Sequence, residues 1–234
     1  MSRPIIALDF GTMAQVKRFL KQFNEPLFVK VGMELYLQNG PGIIKEIRSM
    51  GHDIFLDLKL YDIPNTVARA MAGLGKLDVQ MTNVHAQGGK TMMNHANEAF
   101  KSGNPEGTLI AVTQLTSMND SNVKDEQKSI LTLQESVKNY AMLAKQAGLD
   151  GVVSSPLESE MIHEHCGSDF LTITPGIRLN EDSKDDQVRV VTPAAAHRLG
   201  TDFIVVGRSV TQAAEPVEKY RMVKEMWESG DELS

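Results

Sequence analysis

The sequence predicts a closed (β/α)8 barrel, the TIM-barrel class of α/β fold, with residues 1–234 forming a single domain. Three observations lead there. Eight short, β-prone apolar runs alternate with eight longer segments of helical periodicity. The runs are rich in Val, Ile and Leu, as parallel strands covered on both faces are. A length of 234 residues also suits one barrel. An open doubly wound sheet explains the same alternation, but no Gly-x-Gly-x-x-Gly follows the first run.

The elements follow in order. "PIIALDF" (4–10) is the first strand and runs out at Asp9, ahead of a helical segment near 12–23. "LFVKVG" (27–32) carries Lys30 near its end and is followed by a helix near 41–50. "DIFLDLK" (53–59) finishes on Asp57 and Lys59 before a helix near 64–76. "VQMTNVH" (79–85) stops at His85, and a helix spans about 89–101. "TLIAVTQL" (108–115) has Thr116 just beyond it. The helix at 132–147 then sets Leu133, Val137, Tyr140 and Ala144 three or four apart on one face, with Gly148 as its C-cap. "GVVSS" (151–155) ends around Ser154 and precedes a helix at 156–165. "FLTIT" (170–174) ends on Thr174 and Pro175, and the polar loop "NEDSKDDQ" (180–187) separates it from a helix at 192–199. "DFIVVG" (202–207) delivers Gly207 and Arg208, and a helix at 215–228 leads to the tail "SGDELS", expected to fray.

Composition narrows the function. A net charge of −6 without any basic block argues against a nucleic-acid binder. No apolar run approaches the roughly 18–20 residues of a membrane span. "MSRPIIALDFG" lacks the apolar core and cleavage site of a signal peptide. The single cysteine, Cys166, excludes an internal disulfide. These features lead to the expectation of a cytoplasmic protein. The thirteen methionines read as adaptable core filler.

Barrels of this class carry their active sites at the C-terminal strand ends. There the runs finish on Asp9, Lys30, Asp57 with Lys59, His85, Thr116, Ser154, Thr174 and Arg208. Residues two apart in a strand share a face, so Asp57 and Lys59 are expected to project together, with Lys30 in reach. Asp62 follows on the loop, facing this mouth or that of a second subunit. The alternating signs of Lys30, Asp57, Lys59 and Asp62 would compensate the cost of burial. A structural ion-pair network fits the same spacing.

A second cluster lies after strands seven and eight, where this fold often binds phosphate. "TPGIR" (174–178) and "GRS" (207–209) offer Gly176 and Gly207 for close backbone approach and Arg178 and Arg208 as planar cations; Gln187 could add an amide. The bland alternative is tight turns with surface arginines. Other features carry less. "HEHC" (163–166) sits late in a helix where His163 and His165 diverge, His85 reads as readily as a packed barrel histidine, and Cys166 has no evident base. No zinc grouping, Gly-x-Ser-x-Gly elbow or Walker loop is present, so no metal or cofactor is expected.

Taken together, "ALDF" (7–10), "FVKVG" (28–32), "DLKLYDIPNT" (57–66), "NVHA" (83–86), "AVTQLTS" (111–117), "TPGIR" (174–178), "DQVRV" (186–190) and "VVGRS" (205–209) resemble the bacterial-type orotidine 5′-phosphate decarboxylase family over nearly the whole chain. The Asp-x-Lys-x-x-Asp spacing alone is shared with related decarboxylases and aldolases; "IPNT", "TPGIR" and "GRS" are more specific. The resemblance implies a homodimer with sites at the interface and orotidine 5′-phosphate as substrate. It implies that Asp9 and Lys30 hold ribose hydroxyls, that Asp57 and Lys59 flank the reacting carbon, and that Lys59 donates the proton. Asp62, Ile63 and Thr66 would reach into the partner's site, and Thr116 would contact the pyrimidine. Pro175 would lie by the ligand, Arg178, Gln187, Gly207 and Arg208 would grip the 5′-phosphate, and the loop from Gly176 to Gln187 would close over it. Sister enzymes with the same core, 3-keto-gulonate 6-phosphate decarboxylase and hexulose-phosphate synthase, would instead use Mg²⁺ to stabilise an enediolate. A non-catalytic nucleotide-binding barrel and a Schiff-base aldolase using Lys59 are further readings; flanking carboxylates disfavour the latter by keeping the amine protonated.

Overall fold

A computed structural model describes residues 2–179 and 190–232. Eight parallel strands close in sequence order: β1 (Ile5–Ala7), β2 (Phe28–Gly32), β3 (Asp53–Leu60), β4 (Met81–His85), β5 (Thr108–Val112), β6 (Gly151–Val153), β7 (Leu171–Thr174) and β8 (Phe203–Val206). β8 returns to pair with β1, so no edge is left open. Around them run α1 (Met13–Leu20), α2 (Met33–Asn39), α3 (Gly42–Ser49), α4 (Pro64–Leu74), α5 (Gly89–Gly103), α6 (Leu133–Gln146), α7 (Ser159–Cys166), α8 (Pro193–Arg198), α9 (Arg208–Thr211) and α10 (Pro216–Ser229).

All eight expected strands and all eight expected helices are present, most of them shorter than their sequence runs. Among the described residues two α-helices go beyond the expected set, and one 3-10 turn (Ala86–Gly88) follows β4. α2 fills the β2–α3 connection, and the four-residue α9 follows β8 directly. Residues 122–126 add one wide π-type turn.

Strand alternation creates two apolar compartments. Ile5, Ala7, Phe28, Phe55, Met81, Ile110, Val112, Val153, Ile173 and Val205 fill the barrel lumen. The alternate residues, such as Ile6, Val29, Ile54, Ala111, Val152 and Ile204, pack outward against the helices. The lumen is therefore a packed plug, and a ligand is left the C-terminal mouth above it.

Local chemistry sets the helix ends. Thr12 and Thr132 each form reciprocal caps with the residue three on, Gln15 and Glu135. Pro64, Pro193 and Pro216 occupy first-turn positions, where a missing N–H costs nothing. α6 buries Val137 and Ala144 and packs Leu133 and Tyr140 on the core, as its spacing predicts. It ends with Gly148 at φ 80°, the left-handed conformation that a terminal glycine supplies without steric cost. Among the described residues, no helix is long and apolar enough to cross a membrane.

Candidate active site

The mouth holds a cavity of about 840 Å³. Period two carries polar side chains up from the lumen plug. Ile5 and Ala7 lead to Asp9, Phe28 to Lys30, Phe55 to Asp57 and Met81 to Asn83. Asp9, Lys30, Asp57 and Lys59 line one part of the cavity.

Asp57 is the hub. It is only 7% exposed, so its charge depends on partners. Lys59 Nζ lies 2.6 Å from Asp57 Oδ1, and Lys30 Nζ lies 3.4 Å from Oδ2. Lys30 also reaches Asp9 Oδ1 at 3.5 Å. Burial pushes the Asp57 carboxyl upward, but the charges of Lys30 and Lys59 and the hydrogen bonds from Lys59 and Asn83 outweigh it, leaving it below the usual carboxylate range.

Asp57 and Lys59 do meet, but not through regular alternation. The β3–β4 register shifts between Leu56 and Leu60: four residues of β3 advance while β4 advances two, from Thr82 to Val84. Within this bulge Lys59 has φ 53°, a left-handed conformation costing about 1–2 kcal/mol in a non-glycine residue. Its N–H donates to Asn83 Oδ1 at 2.8 Å.

The remaining expected residues divide into four groups. Thr116, Pro175, Gly176, Arg178, Gly207 and Arg208 line the same cavity as the charge cluster. Gly176 has φ 84°, and the loop beyond it is pinned by a bridge between Ile177 and Val191, which sets the start of Arg178. Arg178 Nη1 donates to the Ile177 carbonyl at 2.9 Å. Gln187, and most of the expected closing loop, lie outside the described residues.

Asp62, Ile63 and Thr66 do not join the cluster within one chain. All three are exposed, and Asp62 accepts from the Ile63 N–H at 2.6 Å. Ser154 and Thr174, read as part of the mouth, face the other way. Their lumen-facing neighbours are Val153 and Ile173, so alternation turns them outward. Thr174 donates to the Phe203 carbonyl, and buried Ser154 Oγ has no hydrogen-bond partner among the described residues.

His85 is half-buried beside Tyr61, with ring centroids 6.1 Å apart. Burial, then the nearby Lys59 charge, lowers its pKa against a smaller pull from Asp57, which favours the neutral ring. His163 and His165 separate as expected: one pairs with Asp202, the other with the Met161 carbonyl. Among the described residues no three His, Cys, Asp or Glu side chains could hold a metal ion together. Sequence reasoning missed Asn83, although counting by twos from Met81 finds it. It also missed Gly11 and Gln15 before and within α1, and Thr211 and Gln212 at α9, all in the cavity wall.

Comparison with known proteins adds the family. The orotidine 5′-phosphate decarboxylase / HUMPS family model matches residues 2–223. The chain belongs to this family. An orotidine 5′-phosphate decarboxylase of Staphylococcus haemolyticus is 56% identical over 96% of this chain and 97% of its own length. One from Lysinibacillus sphaericus is 54% identical over 97% and 99%. The crystal structure of orotidine 5′-phosphate decarboxylase from Lactobacillus acidophilus superposes with a TM-score of 0.88 at 40% identity, covering 97% of this chain and 100% of that one. These matches run the full length of the barrel, so family membership covers the charge cluster and the arginine-bearing loops alike.

Proposed function

We propose that this protein decarboxylates orotidine 5′-phosphate to uridine 5′-monophosphate and CO₂, the last step of de novo pyrimidine nucleotide synthesis. The observation that carries the reading is the Lys59 ammonium, 2.6 Å from a buried carboxylate, on the wall of a cavity that also presents Arg178 and Arg208. Full-length relatives with that activity support it.

The chemistry explains why such a cluster is needed. Breaking the C6–carboxylate bond leaves its electron pair on C6 as CO₂ departs. No adjacent π-system accepts that charge. Lys59 meets it electrostatically and passes its proton to C6, and the amine then regains a proton from solvent. Enzymes lower barriers by roughly 8–23 kcal/mol, and a localised carbanion calls for the upper part of that range. Asp57 holds the ammonium in position. Asp9 and Lys30 bind ribose hydroxyls, and Thr116 contacts the pyrimidine. Pro175 lies beside the ligand, and Gly207, Arg178, Arg208 and Gln187 take the 5′-phosphate, whose binding energy is available to position the reacting carbon.

The same reading makes the active form a homodimer, with Asp62, Ile63 and Thr66 of one copy entering the other copy's site. Apolar surface at the start of α4 supports this, since Tyr61 and Ile63 are 60% and 67% exposed in a lone chain.

The test is ultraviolet absorbance of orotidine 5′-phosphate with the purified protein and excess EDTA. The expected result is complete conversion to uridine 5′-monophosphate at a rate EDTA does not alter. No spectral change, with Mg²⁺-dependent turnover of a sugar phosphate, would move the protein to the sister branch of its family.

A further inference from the structure

We infer that Asn83 is a positioning residue for the Lys59–Asp57 pair, holding the lysine backbone with one end of its amide and the aspartate carboxylate with the other. The inference rests on the roles proposed above for those two residues.

The geometry is specific. Asn83 is fully buried in β4, and both ends of its side chain are engaged. Oδ1 accepts the Lys59 N–H at 2.8 Å, and Nδ2 donates to Asp57 Oδ1 at 2.7 Å. The first bond replaces a missing rung of the sheet. The bulge in β3 takes the Lys59 N–H out of register with the β4 backbone, and a buried N–H left without a partner is costly. The Asn83 carbonyl takes that place and holds Lys59 at its left-handed φ of 53°.

The second bond fixes the carboxylate. Asp57 Oδ1 receives both Asn83 Nδ2 and Lys59 Nζ, which leaves Oδ2 facing Lys30. An amide is needed at position 83 because the task calls for one acceptor and one donor in fixed opposition. Leucine offers neither. Aspartate keeps the acceptor but sets a second negative charge against Asp57. The charged and titratable groups around Asp57 are Lys30 from β2, Asp9 beyond β1, Lys59 on its own strand and His85 on β4. None of them contacts the Lys59 N–H, so none can substitute for Asn83.

The test uses Asn83→Leu and Asn83→Asp in the full-length protein, assayed with orotidine 5′-phosphate. Asn83→Leu is expected to lower kcat by about a hundredfold while KM stays within about threefold, because the phosphate-binding residues are untouched. Asn83→Asp is expected to move the acid limb of the kcat/KM profile up by about one pH unit. A kcat within twofold of the parent in folded Asn83→Leu, or an unmoved acid limb in Asn83→Asp, would overturn the inference. So would equal losses in binding of uridine 5′-monophosphate and in kcat, the mark of general structural damage. If Asn83→Leu does not fold, the isosteric Asn83→Asp decides the matter. A ¹³C titration of the Asp57 carboxyl without substrate decides it independently of turnover: its midpoint should rise in Asn83→Asp, and an unchanged midpoint sinks the inference. An inactive parent would count against the proposed reaction; an active parent with unaltered variants counts only against Asn83.

Discussion

Asp57→Asn removes one charge and almost no volume, and its cost can be worked from the distances. Lys59 Nζ at 2.6 Å and Lys30 Nζ at 3.4 Å both face the carboxylate, and all three side chains are mostly buried. With an effective dielectric constant of 20, these two attractions are about 6 and 5 kcal/mol before solvation is counted. Removing the carboxylate also removes its desolvation cost, several kcal/mol. The variant keeps two ammonium groups facing a neutral amide. The net loss should fall near the roughly 3–5 kcal/mol found when one partner of a buried pair is deleted. For a protein of this size, that is about 6–20 °C in Tm. The pH dependence fixes the sign. The folded Asp57 carboxyl lies below its ordinary range, so its stabilisation is complete above the unfolded pKa of about 3.9 and is lost as pH falls through the folded value. Calorimetry of parent and variant should therefore show a constant gap from about pH 8 to 5, closing only in stronger acid. A drop in Tm under about 2 °C at pH 7, with native circular dichroism, would refute the idea that this cluster is held by charge.

Three further outcomes follow from the same geometry. Lys59→Ala should nearly abolish decarboxylation while stability changes modestly, since it removes the proposed proton donor but leaves Lys30 beside Asp57; retained turnover in the absorbance assay would exclude Lys59 from that role. Arg208→Ala should lower kcat/KM by several orders of magnitude with the fold intact, and wild-type kinetics would remove the arginine from the phosphate site. His52 is buried, its Nδ1 accepts the Leu27 N–H at 3.1 Å, and burial pushes its pKa down, so its contribution is full above about pH 6.5 and lost as pH falls toward the folded value. His52→Asn should flatten the fall in Tm between about pH 6.5 and 5, and an unchanged slope would show that another group sets it.

The barrel was legible because each strand needs a continuous apolar run and each helix a separate stripe, two periods that cannot be confused over eight repeats. α2 escaped because seven residues between Gly32 and Gly40, with only Leu35 buried, are too few to show a stripe. α9 escaped because four residues read equally well as a loop. At the site, the strand ends alone located Asp9, Lys30 and Asp57, and the structure seats them by alternation above Ala7, Phe28 and Phe55. Applied strictly, alternation would also have turned Ser154 and Thr174 out of the mouth and brought Asn83 in. Asp62, Ile63 and Thr66 lie beyond any such reasoning within one chain, since the role proposed for them requires a second copy.

The bulge in β3 is where pattern and chemistry part. In a regular strand Lys59 would stand one layer above Asp57, about 6.6 Å along the axis, with its N–H bonded to the neighbouring backbone. The extra residues in β3 and the left-handed turn of Lys59 instead return its amine to the carboxylate. No local propensity favours that conformation in a lysine; it is held by a buried amide on the next strand and by opposite charges on either side. The strain of about 1–2 kcal/mol is small beside the interactions that enforce it. An ammonium fixed before substrate arrives need not reorganise while charge grows on carbon, and that preorganisation is the largest contribution a protein can make to such a reaction. A side chain on a flexible loop, with the same charge at the same mean distance, would have to be ordered during the reaction itself. The rule broken at Lys59 is therefore broken where the proposed chemistry most requires a rigid cation.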